Sequence, residues 1–105
     1  MLDKVPGYDP LVQVFRDAID QATQGKGKER HANDLSFLDQ PIFTIANSVG
    51  EGFLLGQAIK KTAESTGMVA RGQYSAAQAE LLGAMVYLAA AHIFIGEKAN
   101  LHDQR

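Results

Sequence analysis

The segment from Leu81 to Ile95 is apolar almost without interruption, and it constrains the fold more than any other part of the sequence. It is shorter than the roughly 20 residues that an α-helix needs to cross a bilayer. His92 lies inside it, and Glu80 and Glu97 flank it closely. We therefore interpret the segment as a buried core helix, and we expect no association with a membrane.

This predicted helix, which we place at residues 75–96, is apolar on two opposite sides. Ser75 and Gln78 have the spacing of a capping box at its start. A helix that is apolar all round must be covered all round, and two other helices in one small chain leave part of it uncovered. The pattern therefore predicts a homo-oligomer. The two apolar stripes of the helix are Leu81, Met85, Leu88, His92 and Ile95 on one side, and Gly83, Tyr87, Ala90 and Phe94 on the other.

Two more helices are predicted before it, at residues 9–24 and at residues 41–65. Asp9 and Pro10 form a typical helix start, and Gly25 is a typical end. The second helix starts at Pro41, and Gly50 marks a possible kink within it. We therefore predict an all-α fold in one domain at residues 1–105, with a loop at 25–40. The three-helix chain consists of an N-terminal helix and a helical hairpin, and it assembles into a homo-oligomeric helical bundle.

Composition narrows the functional classes. The chain has 105 residues, of which 46% are hydrophobic, and this is too many for a disordered chain. The net charge of −2 argues against binding to duplex nucleic acid. The sequence contains no cysteine, so disulfides and thiolate metal sites are excluded. The acidic, proline-containing N-terminus does not resemble a signal peptide. We expect a cytoplasmic protein.

Three glycines within the second predicted helix need a local reason, since each costs roughly 0.5–1 kcal/mol relative to alanine. Gly52 and Gly56 form a G-x-x-x-G notch on an aliphatic face, which favours close helix packing. Gly50 falls on the polar face with Gln57 and Lys61, where a ligand can approach the backbone. Phe53 shares that polar face, and its ring is a candidate for stacking on a planar base.

Basic residues supply the candidate anion-binding groups. The first half of the 25–40 loop combines glycines with four basic side chains, which favours an anion nest, although a solvated surface loop fits equally. Lys60 and Lys61 are candidate phosphate ligands, or cations placed favourably toward a helix C-terminus. Arg71 is a further candidate from the next loop. The loop residues in question are Lys26, Lys28, Arg30 and His31.

No catalytic motif is visible. The three histidines lack the spacing of a metal site, and His92 is most simply a core histidine. The run Glu80–Tyr87, ELLGAMVY, resembles the Glu–Glu–Leu–Gly–Asp-like run of the all-α MazG-type nucleotide pyrophosphohydrolases, in which carboxylates bind magnesium. Here Leu81 stands in place of the second glutamate and Ala84 in place of the aspartate. The resemblance therefore covers one helix and lacks its metal-binding groups.

A broader resemblance covers most of the chain. The combination GKGKERH, FLDQP, GEGFLLGQAIKK and ELLGAMVYLAAA is similar to small accessory proteins of tailed phages. Several such proteins are sponges, homo-oligomers that capture nucleotide immune signals such as cyclic ADP-ribose isomers or cyclic dinucleotides. The resemblance implies a non-enzymatic protein without a cofactor, which sequesters a small phosphorylated nucleotide in the host cytoplasm. Two alternatives stay open: a protein-binding inhibitor module, and a degenerate MazG-like hydrolase.

Overall fold

The computed structural model describes residues 5–24 and 36–103, and these residues are almost entirely helical. They form four α-helices: α1 (Asp9–Gln24), α2 (Pro41–Val49), α3 (Gly52–Ala70) and α4 (Tyr74–Asp103). A short 3-10 turn at Phe37–Asp39 precedes α2. The all-α prediction is confirmed for the described residues. The helix predicted at residues 9–24 is present as α1, whereas Gly25 lies outside the described residues.

The predicted three-helix description is wrong, because the second predicted helix is two helices. Gly50 has φ 95° and ψ 176°, a conformation that ends α2, and its N–H donates to the Ala46 carbonyl at 2.7 Å. The chain turns there, and α3 begins at Gly52. The helices also extend past their predicted ends at residues 65 and 96, to Ala70 and Asp103. Neither predicted end carries a residue that must stop a helix, since glycine at position 96 only weakens one.

A tight turn joins α3 to α4. Gly72 has φ 74°, and its N–H donates to the Val69 carbonyl at 3.0 Å. The N–H of Gln73 donates to the Met68 carbonyl at 2.8 Å. These two bonds form a Schellman motif, which satisfies the last carbonyls of α3 and reverses the chain. As a result α3 and α4 pack side by side as a hairpin, and theirs is the most extensive interface between described elements.

The hydrophobic core lies where α2, α3 and α4 meet. Leu54 of α3 is fully buried at its centre. The Phe37 ring packs edge-on against the Phe43 ring, with centroids 5.1 Å apart, and so attaches the 3-10 turn to this core. α1 packs on α4 outside the core cluster, through buried Ala18 and a hydrogen bond from Gln21 Nε2 to the Ala79 carbonyl at 3.1 Å.

The side of α3 that packs against the other helices is the side predicted to be polar. The predicted inner and outer faces of this helix are therefore reversed. Leu54, Ala58 and Ser65 are buried, while Ile59 on the predicted aliphatic face is 71% exposed. A side chain added at Gly52 or Gly56 would meet nothing within 4 Å. The glycine notch therefore packs against no other part of the described chain. The stripe of α3 that packs against the other helices is Leu54, Ala58, Lys61, Ser65 and Met68, at alternating spacings of four and three, with Lys61 and Met68 half-buried.

An ion pair ties the α2–α3 corner to α4. The Lys98 ammonium donates to Glu51 Oε1 at 3.1 Å, and Lys98 Nζ lies 5.6 Å from the centroid of the Phe94 ring. The pKa of Glu51 lies below its ordinary value of 4.5, first because its backbone amide hydrogen-bonds the carboxylate and then because of the hydrogen bond and charge of Lys98. A lowered folded-state pKa stabilises the fold above the ordinary pKa, and this contribution is lost as the pH falls through the folded-state value.

We expect Lys98→Gln to raise the pKa of Glu51 toward 4.5 without abolishing the whole shift, because the backbone hydrogen bond remains. NMR titration of the Glu51 carboxyl carbon measures this directly. Lys60→Gln is the matched control, since Lys60 pairs with Glu64 instead. A Glu51 pKa that stays the same in Lys98→Gln would contradict the assignment of Lys98 as a partner.

Candidate functional site

The interface between α3 and α4 contains a charged residue pair next to two aromatic rings. We call this group the Lys61 cluster: Phe53 and Lys61 from α3, with Glu80, Gly83 and Tyr87 from α4. Lys61 Nζ lies 3.9 Å from Glu80 Oε1, and each of the two side chains is 22% exposed. A lysine and a glutamate are thus held largely out of water between two helices.

Gly83 makes room for the lysine. A Cβ at this position would stand 3.1 Å from Lys61 Cδ and 3.2 Å from Lys61 Cε. These distances are shorter than an ordinary van der Waals contact, so a side chain here would displace the lysine stem. The aliphatic part of Lys61 therefore lies across the backbone of α4, and its ammonium lies near Glu80 and Tyr87. The glycine has a packing role that its place in the apolar stripe did not indicate.

Two aromatic rings complete the cluster. Lys61 Nζ lies 6.0 Å from the centroid of the Tyr87 ring, at the outer limit of a cation–π contact. Tyr87 is buried and meets Phe53 edge to face, with centroids 6.2 Å apart at 85°. Phe53 is only half-buried, so part of its ring stays accessible beside Tyr87.

One carboxylate oxygen of Glu80 lies inside the cluster without a hydrogen-bond partner. Its Oε2 atom is buried and has no hydrogen-bond partner among the described residues. Its Oε1 atom meets Lys61 only at 3.9 Å, longer than the roughly 2.7–2.9 Å of a charge-assisted hydrogen bond. A buried acceptor without a partner costs free energy, so the carboxylate is suited to accept from a further donor group.

The structure brings together only part of the predicted site. Phe53, Gln57 and Lys61 lie four residues apart on the side of α3 that faces α4, and all three are half-buried. Lys60 is 67% exposed and pairs with Glu64 at 3.9 Å. Phe53 and Arg71 are separated by about 27 Å along the helix axis, so one small ligand cannot reach both within a subunit.

The remaining predicted residues fall elsewhere. Gly50 lies at the α2–α3 corner, and Arg71 Nε donates to Gln73 Oε1 at 2.9 Å in the turn before α4. His92, predicted to be a core histidine, is exposed on α4, because the stripe that contains it faces away from the other helices. The basic loop residues lie outside the described residues: Lys26, Lys28, Arg30 and His31.

Sequence reasoning did not assign Glu80 and Gly83 to the site. Glu80 was considered only as part of the MazG-like run, and Gly83 only as a small residue of an apolar stripe. Their partner Lys61 was placed on a surface, so nothing pointed to a contact across two helices. No group of three or more His, Asp or Glu side chains in residues 5–24 and 36–103 is placed to hold a metal ion.

α4 is long and apolar enough to cross a membrane by length and composition alone. Within the chain, 28% of its most apolar 18-residue window is buried. The helix is therefore partly a core helix, as the sequence predicted, and partly an exposed apolar surface. This exposed part needs its own explanation.

Comparison with known proteins found no matching family model, no matching curated protein and no matching solved structure. The features of the chain that bear on function are therefore the Lys61 cluster and the exposed apolar surfaces.

Proposed function

We propose that this chain is a non-enzymatic binding protein that acts as a homo-oligomer and sequesters a small phosphorylated, nucleotide-derived ligand. A cyclic ADP-ribose isomer or a cyclic dinucleotide, captured in the host cytoplasm by a phage-encoded sponge, is the specific form of this proposal. The observation that carries it is the Lys61 cluster, where a lysine held by two helices lies 6.0 Å from the buried Tyr87 ring, which in turn packs edge to face against half-buried Phe53.

The cluster has the chemistry that such a ligand requires. Lys61 has a long contact with Glu80, so a phosphate oxygen at hydrogen-bond distance would be a closer partner for its ammonium. The accessible part of the Phe53 ring offers a surface for a base to stack. Gln57, on the same side of α3, adds an amide.

Binding should depend on Lys61 and not on its neighbour Lys60. We expect Lys61→Gln to weaken ligand binding about 10-fold to 100-fold, because a hydrogen bond to a charged group contributes about 1.5–3 kcal/mol. Lys60→Gln is the matched control, since it removes the same charge from an exposed position, and we expect a change of less than about threefold.

Isothermal titration calorimetry against a panel of nucleotide signals measures both variants and the parent protein. Absence of heat with every member, under conditions in which a known sponge responds, contradicts the proposed function. Equal losses in the two lysine variants contradict the assignment of the Lys61 cluster as the site. Heat denaturation of the complex, followed by chromatography, should return the ligand intact. Ligand cleaved in the presence of magnesium would instead favour the MazG-like hydrolase.

A protein-binding inhibitor is the second candidate, and the surface of α1 favours it. Leu11, Phe15 and Ile19 lie on one side of this helix and are 51%, 54% and 62% exposed. Such a row is typical of a helix that docks on a partner. Carbene labelling of the purified oligomer tests this candidate: a labelled Phe15 leaves the surface available to a partner, whereas a protected Phe15 removes the reason for the proposal.

A further inference from the structure

One face of α4 has the residue spacing of a helix–helix interface but packs against no other helix of the described residues. We call it the α4 stripe: Leu81, Met85, Leu88, His92 and Ile95. Its members recur at alternating spacings of four and three, as in the a and d positions of a heptad repeat. Leu81, Leu88 and Ile95 are 43%, 51% and 46% exposed. Over about 21 Å of helix, a regular apolar seam faces outward.

The described residues leave many large apolar side chains uncovered. Among the described residues seventeen large apolar side chains are exposed, whereas five are buried: Ile42, Phe43, Leu54, Tyr87 and Phe94. Leu81, Leu88 and Ile95 of the α4 stripe are three of the seventeen, so a second subunit that packs on the stripe covers them without unfolding any part of the first.

We propose that a second copy of this chain packs on the α4 stripe, with the two α4 helices antiparallel and Leu88 on the two-fold axis. The stripe is centred on Leu88, so an antiparallel pairing places Leu81 opposite Ile95 of the second copy and Met85 within about 1.5 Å of the level of its His92. A parallel pairing would place the two His92 imidazoles against each other in the seam. The antiparallel arrangement gives each imidazole a thioether neighbour instead.

The surroundings of α4 favour a protein partner over a bilayer. α3 packs along α4 and carries Lys60, Lys61 and Glu64 within the hairpin. Insertion of α4 into a membrane would either bring these charges into the hydrocarbon or separate the two helices from their common core. A second α4 stripe covers the apolar face and leaves the hairpin intact.

The first test is the mass of the purified full-length protein by analytical ultracentrifugation. We expect a dimer or an even-numbered higher oligomer, and we expect Leu88→Lys to raise the dissociation constant of the dimer about 100-fold or more, because each dimer contains the change twice. Val69→Lys is the matched control, since Val69 is also 51% exposed but lies on α3, and it should keep the parent mass. Circular dichroism checks that each variant remains helical.

The second test uses the absence of native cysteine, which makes a single introduced thiol a clean probe. Under oxidation Leu88→Cys should form a disulfide-linked dimer, since a residue on the two-fold axis meets itself. Leu81→Cys alone should not, because its own copy lies about 21 Å away along the seam. A mixture of Leu81→Cys with Ile95→Cys should form a linked heterodimer.

Several results would overturn the inference. A monomer at every concentration would do so, as would an unchanged mass for Leu88→Lys. Linkage of Leu81→Cys to itself would show a parallel pairing and contradict the two-fold axis at Leu88. Flotation of the parent protein with phosphatidylcholine–phosphatidylglycerol vesicles would assign the stripe to a bilayer. None of these measurements involves a nucleotide, so failure of the ligand proposal leaves the dimer untouched, whereas a monomer would also remove the homo-oligomeric part of the proposed function.

Discussion

Leu54→Ala should lower the free energy of unfolding by about 2–5 kcal/mol, the largest effect that we expect from a single substitution in this chain. Leu54 is fully buried where α2, α3 and α4 meet, so alanine removes apolar contacts with all three helices and leaves a cavity. The resulting fall in melting temperature is about 4–8 °C for each kcal/mol in a domain of this size. Thermal unfolding followed by circular dichroism measures it.

The adjacent residue provides the control. Leu55 has the same side chain but is 38% exposed, so Leu55→Ala should cost less than half as much. Both variants are compared at one protein concentration, because subunit association also contributes to the melting temperature. Equal costs at the two positions would show that the core is not centred on the side of α3 described above.

Gly50→Ala should destabilise the protein by about 1–3 kcal/mol, although there is room for the added methyl group. Nothing lies within 4 Å of a Cβ at this position, so steric contact contributes nothing. The cost comes from the backbone, because φ 95° with ψ 176° is a conformation that only glycine adopts readily. Urea unfolding measures the loss, and a lowered midpoint with an unchanged slope is expected.

Gly56→Ala is the matched control and should have the opposite sign. Gly56 lies inside α3 with helical geometry, and a Cβ there also meets nothing within 4 Å. Alanine should therefore stabilise the helix by about 0.5–1 kcal/mol. If Gly50→Ala proved neutral, the corner between α2 and α3 would have to adopt another conformation. A loss at Gly56 would mean that another backbone covers the glycine notch.

The sequence is sufficient to predict where the helices form but not which of their faces pack together. The spacing of apolar residues in α1 predicts its range. The excess of glycine draws attention to Gly50, which the structure shows to be a helix end. The packing side of α3 was predicted wrongly because Ile59 and the glycines were taken as markers of the interior. Leu54 and Ala58 are a better guide, since they share a stripe with Ser65 and Met68.

The Lys61 cluster could not be predicted for a related reason. Glu80, Gly83 and Tyr87 face Lys61 only because the turn after α3 places α4 in one rotational register. A residue inserted within α4 before Glu80 would rotate these facing residues by about 100°. Periodicity within one helix carries no information about this register. A lysine in an interface also contradicts the usual expectation that a charged side chain faces water.

The Schellman turn at Gly72 affects the entropy of the chain as well as its shape. The cost of closing a loop rises with the number of residues it contains. Since only Arg71, Gly72 and Gln73 separate α3 from α4, the largest interface of the described chain forms between immediate neighbours in sequence. Local contacts of this kind are typical of helical proteins that fold rapidly. The short turn thus keeps low the entropic cost of closing the hairpin that holds the lysine, the glutamate and both rings.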